Sequence, residues 1–266
     1  MGLINKENII KGFNLDNDAK IIIFNLLDKV ETVIKSHVIC FSSFVSSEVE
    51  AVMASILTSF STDVSYSVSG GHDNPDYAMI AIYPEYLSEG DIEFPLSLLH
   101  IKTTNKSYEP SHRDVLGSVM GLGIKRDIVG DIIIVDRLIQ MFVAAPMEAY
   151  ISANLEKISR NKCDITKVAL ESFVHIEEEF KIKTDTVKSL RLDSIIASGF
   201  NLSRSDALKM VKSSKVKVNH ILVESASKML EAGDLISCRG NGRILLSEIG
   251  THTKKDRIKI ILHMYS

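Results

Sequence analysis

The strongest constraint on the fold lies between residues 94 and 170. There the spacing of apolar side chains switches repeatedly between the period of a strand and that of a helix. FPLSLLHIKT at 94–103 predicts a strand, 112–122 a helix, and Ile132 to Val135 and Leu138 to Ala144 two further strands. Met147 to Ile158 follows as a helix with Pro146 near its first turn, and Ile165 to Leu170 as a last strand. The order is βαββαβ, that of a ferredoxin-like split βαβ unit, and it makes the fold class α+β.

The flanks are also patterned. From Asp16 to about Ile39 the side chains Ile22, Leu26 and Val33, with Ile23, Leu27, Val30 and Ile34 beside them, keep helical spacing. Ser47 heads a capping-box form, with Val52, Met53, Ile56 and Leu57 behind it. Alternating VSYSVS then leads to Gly70-Gly71, and YAMIAIYP predicts a strand closed by Pro84. Downstream, the charged IEEEFKIKTDTV at 176–187 predicts a linker. Two short helices follow, Lys188 to Ala197 and Ser203 to Lys212, and then short strands around 216–218, 235–239, 243–247 and 257–264, with Gly240-Asn241-Gly242 as a hairpin turn. The expected domains are an N-terminal α+β unit (1–84), an RRM-like βαββαβ domain (85–176) and a basic C-terminal domain (184–266).

Charge separates these parts where the whole-chain value of −3 does not. Residues 184–266 carry 14 Lys and Arg against 8 Asp and Glu, a net +6, whereas 1–183 carry 17 against 26, a net −9. A basic domain on an acidic body is the electrostatic outline of a protein that presents one face to a polyphosphate. The three cysteines, Cys40, Cys163 and Cys238, form neither a disulfide framework nor a paired metal motif. No apolar run reaches the roughly 18 residues that a membrane span needs, and the N-terminus lacks the pattern of a secretory signal. The expectation is a cytoplasmic monomer without membrane span, metal or cofactor.

The C-terminal motifs are specific. Arg191-Leu192-Asp193 sits in the first helix, Ser203-Arg204 opens the second, Lys215-Val216-Lys217-Val218-Asn219 runs into a strand, and Gly233-Asp234 precedes another. Over about 55 residues these resemble the S4 RNA-binding domain in order and spacing, with His220 standing where that family commonly has Gly. The residue chemistry agrees with the resemblance. Ser203 can satisfy helix N-terminal amides at a natural phosphate site, and Arg204 adds a forked donor. Lys209 and Lys212 lie three residues apart on one helix face, and Lys215 and Lys217 extend the charge. With Arg191, Asn219, Arg239 and Arg243 they make the expected RNA-binding set. Asp193 is read as structural, either pairing with a neighbouring arginine or capping the turn.

Upstream, HRDVLGSVMGLGIKRDIVGDIIIV at 112–135, with Gly70-Gly71 and Tyr83-Pro84, resembles the central part of YlmH-type bacterial S4 proteins. DNPDYAM departs from that family's Ala-Glu-Arg-like stretch after the paired Gly. Gly117, Gly121 and Gly123 are expected to permit close packing and a helix exit. Arg113, Lys125 and Arg126 form a second candidate RNA contact, unless the glycines are only a helix cap and the basic pair a solvated loop. The resemblance implies a non-catalytic ribosome-associated quality-control factor that binds the large ribosomal subunit and rRNA or tRNA.

Enzyme signatures fail on inspection. HRD is not followed by the metal-binding Asn of a kinase loop, and GLGIKR has Arg126 where a dinucleotide fingerprint needs Gly. RLD occurs in pseudouridine synthases, but ahead of a catalytic domain. His112 has no second ligand at metal spacing and is expected at a helix start. Two alternatives stay open: an RNA-modifying enzyme of pseudouridine synthase or methyltransferase type that uses the domain as a handle, and a protein-interaction factor linked to cell division.

Overall fold

A computed structural model describes residues 6–13, 15–60, 63–175, 180–253 and 255–265, which divide into two compact units, 1–176 and 177–266. The first unit starts with the short helix α1 (Lys6–Ile10) and α2 (Asn17–Ser36). Asp16 caps α2 by accepting a hydrogen bond from the Ala19 amide at 2.8 Å, and His37 closes it in the left-handed region. The apolar stripe of α2, Ile23, Leu26, Leu27, Val30 and Val33, is buried.

Next come β1 (Cys40–Phe41), β2 (Val45–Ser46), α3 (Ser47–Leu57), β3 (Val64–Ser69) and β4 (Tyr77–Pro84). The continuous apolar run of β4 explains its place. It pairs antiparallel with β1, β2 and β3, and Ile80 and Ile82 share a core with α2 and α3. The cap of α3 lies one residue earlier than expected, at Ser46. Ser47 instead binds the Asp76 carbonyl through its hydroxyl at 3.0 Å and its amide at 3.1 Å, tying the helix to the start of β4 rather than to its own first turn.

The middle of the chain supplies β5 (Leu96–Thr103), α4 (His112–Met120), β6 (Val129–Val135), β7 (Leu138–Ala144), α5 (Ala145–Asn154), β8 (Lys157–Ile158) and β9 (Asn161–Val168). The sheet order is β6-β7-β5-β9-β8, with neighbours antiparallel. Strand β7 therefore lies between β5 and β6, and β5 between β7 and β9, which is the split βαβ arrangement. Helix α5 ends four residues before the expected Ile158, because Lys157 and Ile158 turn through left-handed Ser159 to pair with β9. His112 begins α4 as expected, but the capping box is built by Ser111 and Asp114 just before and inside it. Gly121 is its C-cap and Gly123 takes φ +77°. Gly117 does not serve close packing, since nothing lies within 4 Å of where its Cβ would be.

The two sheets of this unit meet at a polar clasp. The Asp131 carboxylate on β6 accepts from the amides of Asp76 at 2.8 Å and Tyr77 at 3.1 Å and meets His72 Nε2 at 3.0 Å. The His72 ring packs against those of Phe142 and Phe173, at centroid distances of 4.9 and 4.8 Å, and the two phenyl rings lie 5.4 Å from each other. Phe142 is fully buried, and the Gln140 amide beside it exchanges two hydrogen bonds with the Val174 backbone at 2.9 and 2.7 Å. The face of β5 and β7 opposite their helices is thus covered from within the unit.

The second unit corrects the linker reading. Residues 180–187 form β10 (Phe180–Val187), while the rest of that segment, 176–179, lies outside the described residues. Its alternation runs opposite to the usual sense: Phe180 and Ile182 are exposed, while Val187, of the other parity, joins the core. The remaining elements are α6 (Leu192–Gly199), α7 (Arg204–Lys212), β11 (Val216–Val218), β12 (Ile221–Leu222), β13 (Leu235–Cys238), β14 (Gly242–His252) and β15 (Ile258–Tyr265). They build the sheet β10-β15-β14-β13-β11-β12. Leu192, Ile195 and Ile196 of α6 and Ala207 and Val211 of α7 pack against Val216, Val218, Ile236, Ile244, Leu246, Ile260 and Leu262 on one face of it.

Candidate nucleic-acid interface

The helix pair positions the first cations. Arg191 is the N-cap of α6, and its guanidinium donates to both Asp193 carboxylate oxygens at 3.1 and 3.2 Å. Arg204, at the start of α7, reaches the same carboxylate at 3.0 and 3.1 Å. The Asp193 side chain is only 8% exposed, against 39% for Arg191 and 56% for Arg204. Burial alone would push the Asp193 carboxyl up, but the hydrogen bonds and charges of the two arginines outweigh it and hold the group below the usual carboxylate range. Asp193 therefore pairs with arginines, as one of its two expected roles had it, and fixes two half-exposed guanidinium forks.

Ser203 caps α7 by accepting from the Asp206 amide at 3.1 Å, and its hydroxyl donates to the Asp206 carboxylate at 2.6 Å. That carboxylate also takes the Lys209 ammonium at 3.1 Å. Hydrogen bonds from Ser203 and Lys209 hold Asp206 below the usual carboxylate range. The helix end expected to receive a phosphate thus already carries an acidic partner from its own first turn, and Lys209 is engaged with it. Lys212 is exposed in the last turn of α7.

A second group assembles where α7 leads into the sheet. Lys215, Lys217, Arg239 and Arg243, with Ser214, Ser237, Cys238, Gly240 and Gly242, line an open groove of about 570 Å3. None of the lining residues is acidic. Strand register explains the convergence, since Lys217 pairs with Ser237 and Ser237 with Arg243, while the Arg239 amide binds the Lys215 carbonyl at 2.9 Å. Two pairs of nearby residues, Lys215 with Lys217 and Arg239 with Arg243, are thus brought together on neighbouring strands and turns.

Asn219 plays another part. It and His220 occupy the two-residue turn between β11 and β12, at φ +49° and +67°. Two consecutive positive values define a turn that favours Asn followed by Gly, so His220 sits where glycine is least strained. The Asn219 amide is spent inside the fold, donating to Asp234 at 2.7 Å and accepting from the Leu235 amide at 2.9 Å.

The second candidate contact separates in the same way. Arg113 and Lys125 are exposed. Arg126 turns inward, its guanidinium 3.9 Å from the Tyr77 ring centroid and donating to the carbonyls of Val129 and Gly130. Among the described residues no three His, Cys, Asp or Glu are grouped to hold a metal, and no helix is long and apolar enough to cross a membrane. Burial, with Asp164 adding to it, pushes the Cys163 thiol up to about 11, and burial pushes Cys238 to about 12, far from the range of a reactive thiolate.

Two helices docked on one face of an antiparallel sheet, with forked arginines at their N-termini and a basic groove elsewhere on the same unit, define a small RNA-binding module. The family model for the S4 domain matches residues 190–236, and the model described as "Putative RNA-binding domain in YlmH" matches 90–172. Ribosome-associated protein quality control protein P2 of Bacillus subtilis (strain 168) is 33% identical over 211 residues, covering 79% of this chain and 82% of that protein. The chain belongs to the YlmH family of S4-domain proteins. The solved structure of cell division protein ylmH from Streptococcus pneumoniae shares its fold, with a TM-score of 0.51 at 21% identity over 61% of this chain and 98% of that one.

Proposed function

We propose that this protein is a non-catalytic RNA-binding factor of ribosome-associated quality control, acting in the cytoplasm as a monomer on the large ribosomal subunit and touching rRNA, tRNA or both. The observation that carries the reading is the open groove of Lys215, Lys217, Arg239 and Arg243 with no acidic lining. Such a groove neutralises backbone phosphates and reads shape more than sequence. Arg191 and Arg204, held by Asp193 at the helix ends, would supply forked phosphate donors apart from the groove, with Lys212 adding charge. In this reading residues 1–84 and the RRM-like residues 85–176 are separate working parts, and Arg113 and Lys125 of the latter give a weaker second contact. The relative's name as a ribosome-associated protein quality control protein supports the setting.

The test is sedimentation of the full chain with purified large ribosomal subunits at increasing salt. The wild type is expected to co-sediment at low salt and to be released as salt rises, and the variant with Lys215, Lys217, Arg239 and Arg243 all changed to Ala is expected to stay in the supernatant. Equal co-sedimentation of the two proteins would overturn the assignment of the groove. Failure of the wild type to bind at low salt would overturn the function.

A further inference from the structure

We propose that the uncovered face of the C-terminal sheet stacks the bases of an unpaired RNA segment, so that the module binds a single strand alongside structured RNA. The proposal rests on the RNA-binding reading above and names the form of RNA that this face would take. It comes from the strand register. Side chains alternate between faces, and the core takes Ile236, Ile244, Leu246, Ile260 and Leu262. The opposite parity therefore points away from α6 and α7. Following the paired residues across it gives one row: Phe180 on β10 opposite Tyr265 on β15, Tyr265 opposite Arg243 on β14, Arg243 opposite Ser237 on β13, and Ser237 opposite Lys217 on β11.

The row has a chemical order: two rings, then a guanidinium, a hydroxyl and an ammonium. Four inter-strand steps make it about 19 Å long. Phe180 is 42% exposed. Its ring lies parallel to that of His263, 4.2 Å away at an interplanar angle of 11°, and 5.6 Å from that of Tyr265. The Arg243 guanidinium sits 5.4 Å from the Tyr265 ring centroid. Ile182, next on the same face of β10, is 66% exposed. An exposed Phe180 ring with half-buried Tyr265 and His263 beside it, in a row that runs into a groove free of acidic lining, matches a single strand, with flat bases on the rings and phosphates on the cations. A protein partner of apolar surface would have no use for the cations.

The middle sheet supplies a contrast. Its corresponding face is closed by His72, Phe173 and Val174, with Phe142 buried, so no base can reach it. The C-terminal face has the exposed Phe180 ring and the half-buried rings of Tyr265 and His263, and Phe180, Arg243 and Tyr265 lie outside the residues matched by the S4 model, on strands that extend it.

The test compares a short labelled oligoadenylate with an abasic ribose-phosphate chain of equal length, using the full chain and fluorescence anisotropy. The wild type is expected to bind the oligoadenylate more tightly than the abasic chain by about ten-fold or more, since each stacked base adds affinity that the abasic chain lacks. Phe180→Leu with Tyr265→Leu keeps apolar bulk in the sheet and is expected to abolish that preference while leaving abasic binding unchanged. Tyr265→Phe, which keeps the ring, is expected to retain the preference. A wild type that binds both probes equally, or a leucine double variant that keeps the preference, overturns the stacking face and leaves the RNA-binding reading standing. No binding of either probe or of structured rRNA at low salt overturns both.

Discussion

Changing Asp193 to Ala isolates the device that orders the two helix-end arginines. Asp193 accepts four guanidinium contacts between 3.0 and 3.2 Å while almost fully withdrawn from water. Removing one partner of a wholly buried ion pair costs about 3–5 kcal/mol. Here the arginines are half exposed and regain water when the carboxylate is lost, so the expected loss is smaller, ~2–3 kcal/mol. For a unit of this size that lowers its melting temperature by roughly 10–20 °C. The loss should also depend on pH. The folded-state carboxyl is held below its unfolded value of about 3.9, so its contribution is complete above about pH 4 and is lost as pH falls through the folded value. Urea unfolding followed by circular dichroism at pH 7 and near pH 3 measures both, and the gap between Asp193→Ala and the wild type should narrow at the acid end. A gap under about 0.5 kcal/mol at pH 7, or one of equal size at both pH values, would refute the reasoning.

Further predictions concern the first unit. Asp131→Ala removes the acceptor shared by Asp76, Tyr77 and His72 and should cost ~2 kcal/mol on thermal unfolding, without altering RNA affinity. Gly71→Ala should cost ~3 kcal/mol or more, because φ is +89° and a Cβ would lie 2.5 Å from the buried Phe142 ring. Arg126→Ala should lower stability by ~1–2 kcal/mol through loss of its contacts with Tyr77 and Val129. If Arg126→Ala instead weakens RNA binding at unchanged stability, its structural role is wrong.

Legibility in the sequence followed the range of the interaction. Strands β4, β5 and β7 carry dense apolar runs and were expected close to where they lie. Strand β10 was hidden because half its residues face solvent, and its partner, β15, lies about eighty residues away. The helix end at Asn154 was missed for a similar reason, since Ile158 obeys the helical period yet is claimed by β9. For the interface, residue type identified the cations but not their company. That Lys209 faces Asp206, that Asn219 is used up by its turn, and that Arg126 lies on Tyr77 are outcomes of packing. The aromatic row is not legible in the sequence because it exists only when residues 180, 265, 243, 237 and 217 are brought into register. Its one local trace is the alternation of Phe180 with Ile182 and of His263 with Tyr265 in segments otherwise polar or core-like.

The central claim is that the basic groove is the RNA-facing surface, and the salt dependence of affinity for a structured rRNA fragment tests it most directly. Each phosphate contact contributes about 0.7–0.9 to the slope of log affinity against log salt. Replacing Lys215, Lys217, Arg239 and Arg243 together with Ala should flatten that slope by roughly 3 while the unfolding transition stays in place. An unchanged slope in a folded quadruple variant would contradict the account and move the interface elsewhere on the protein.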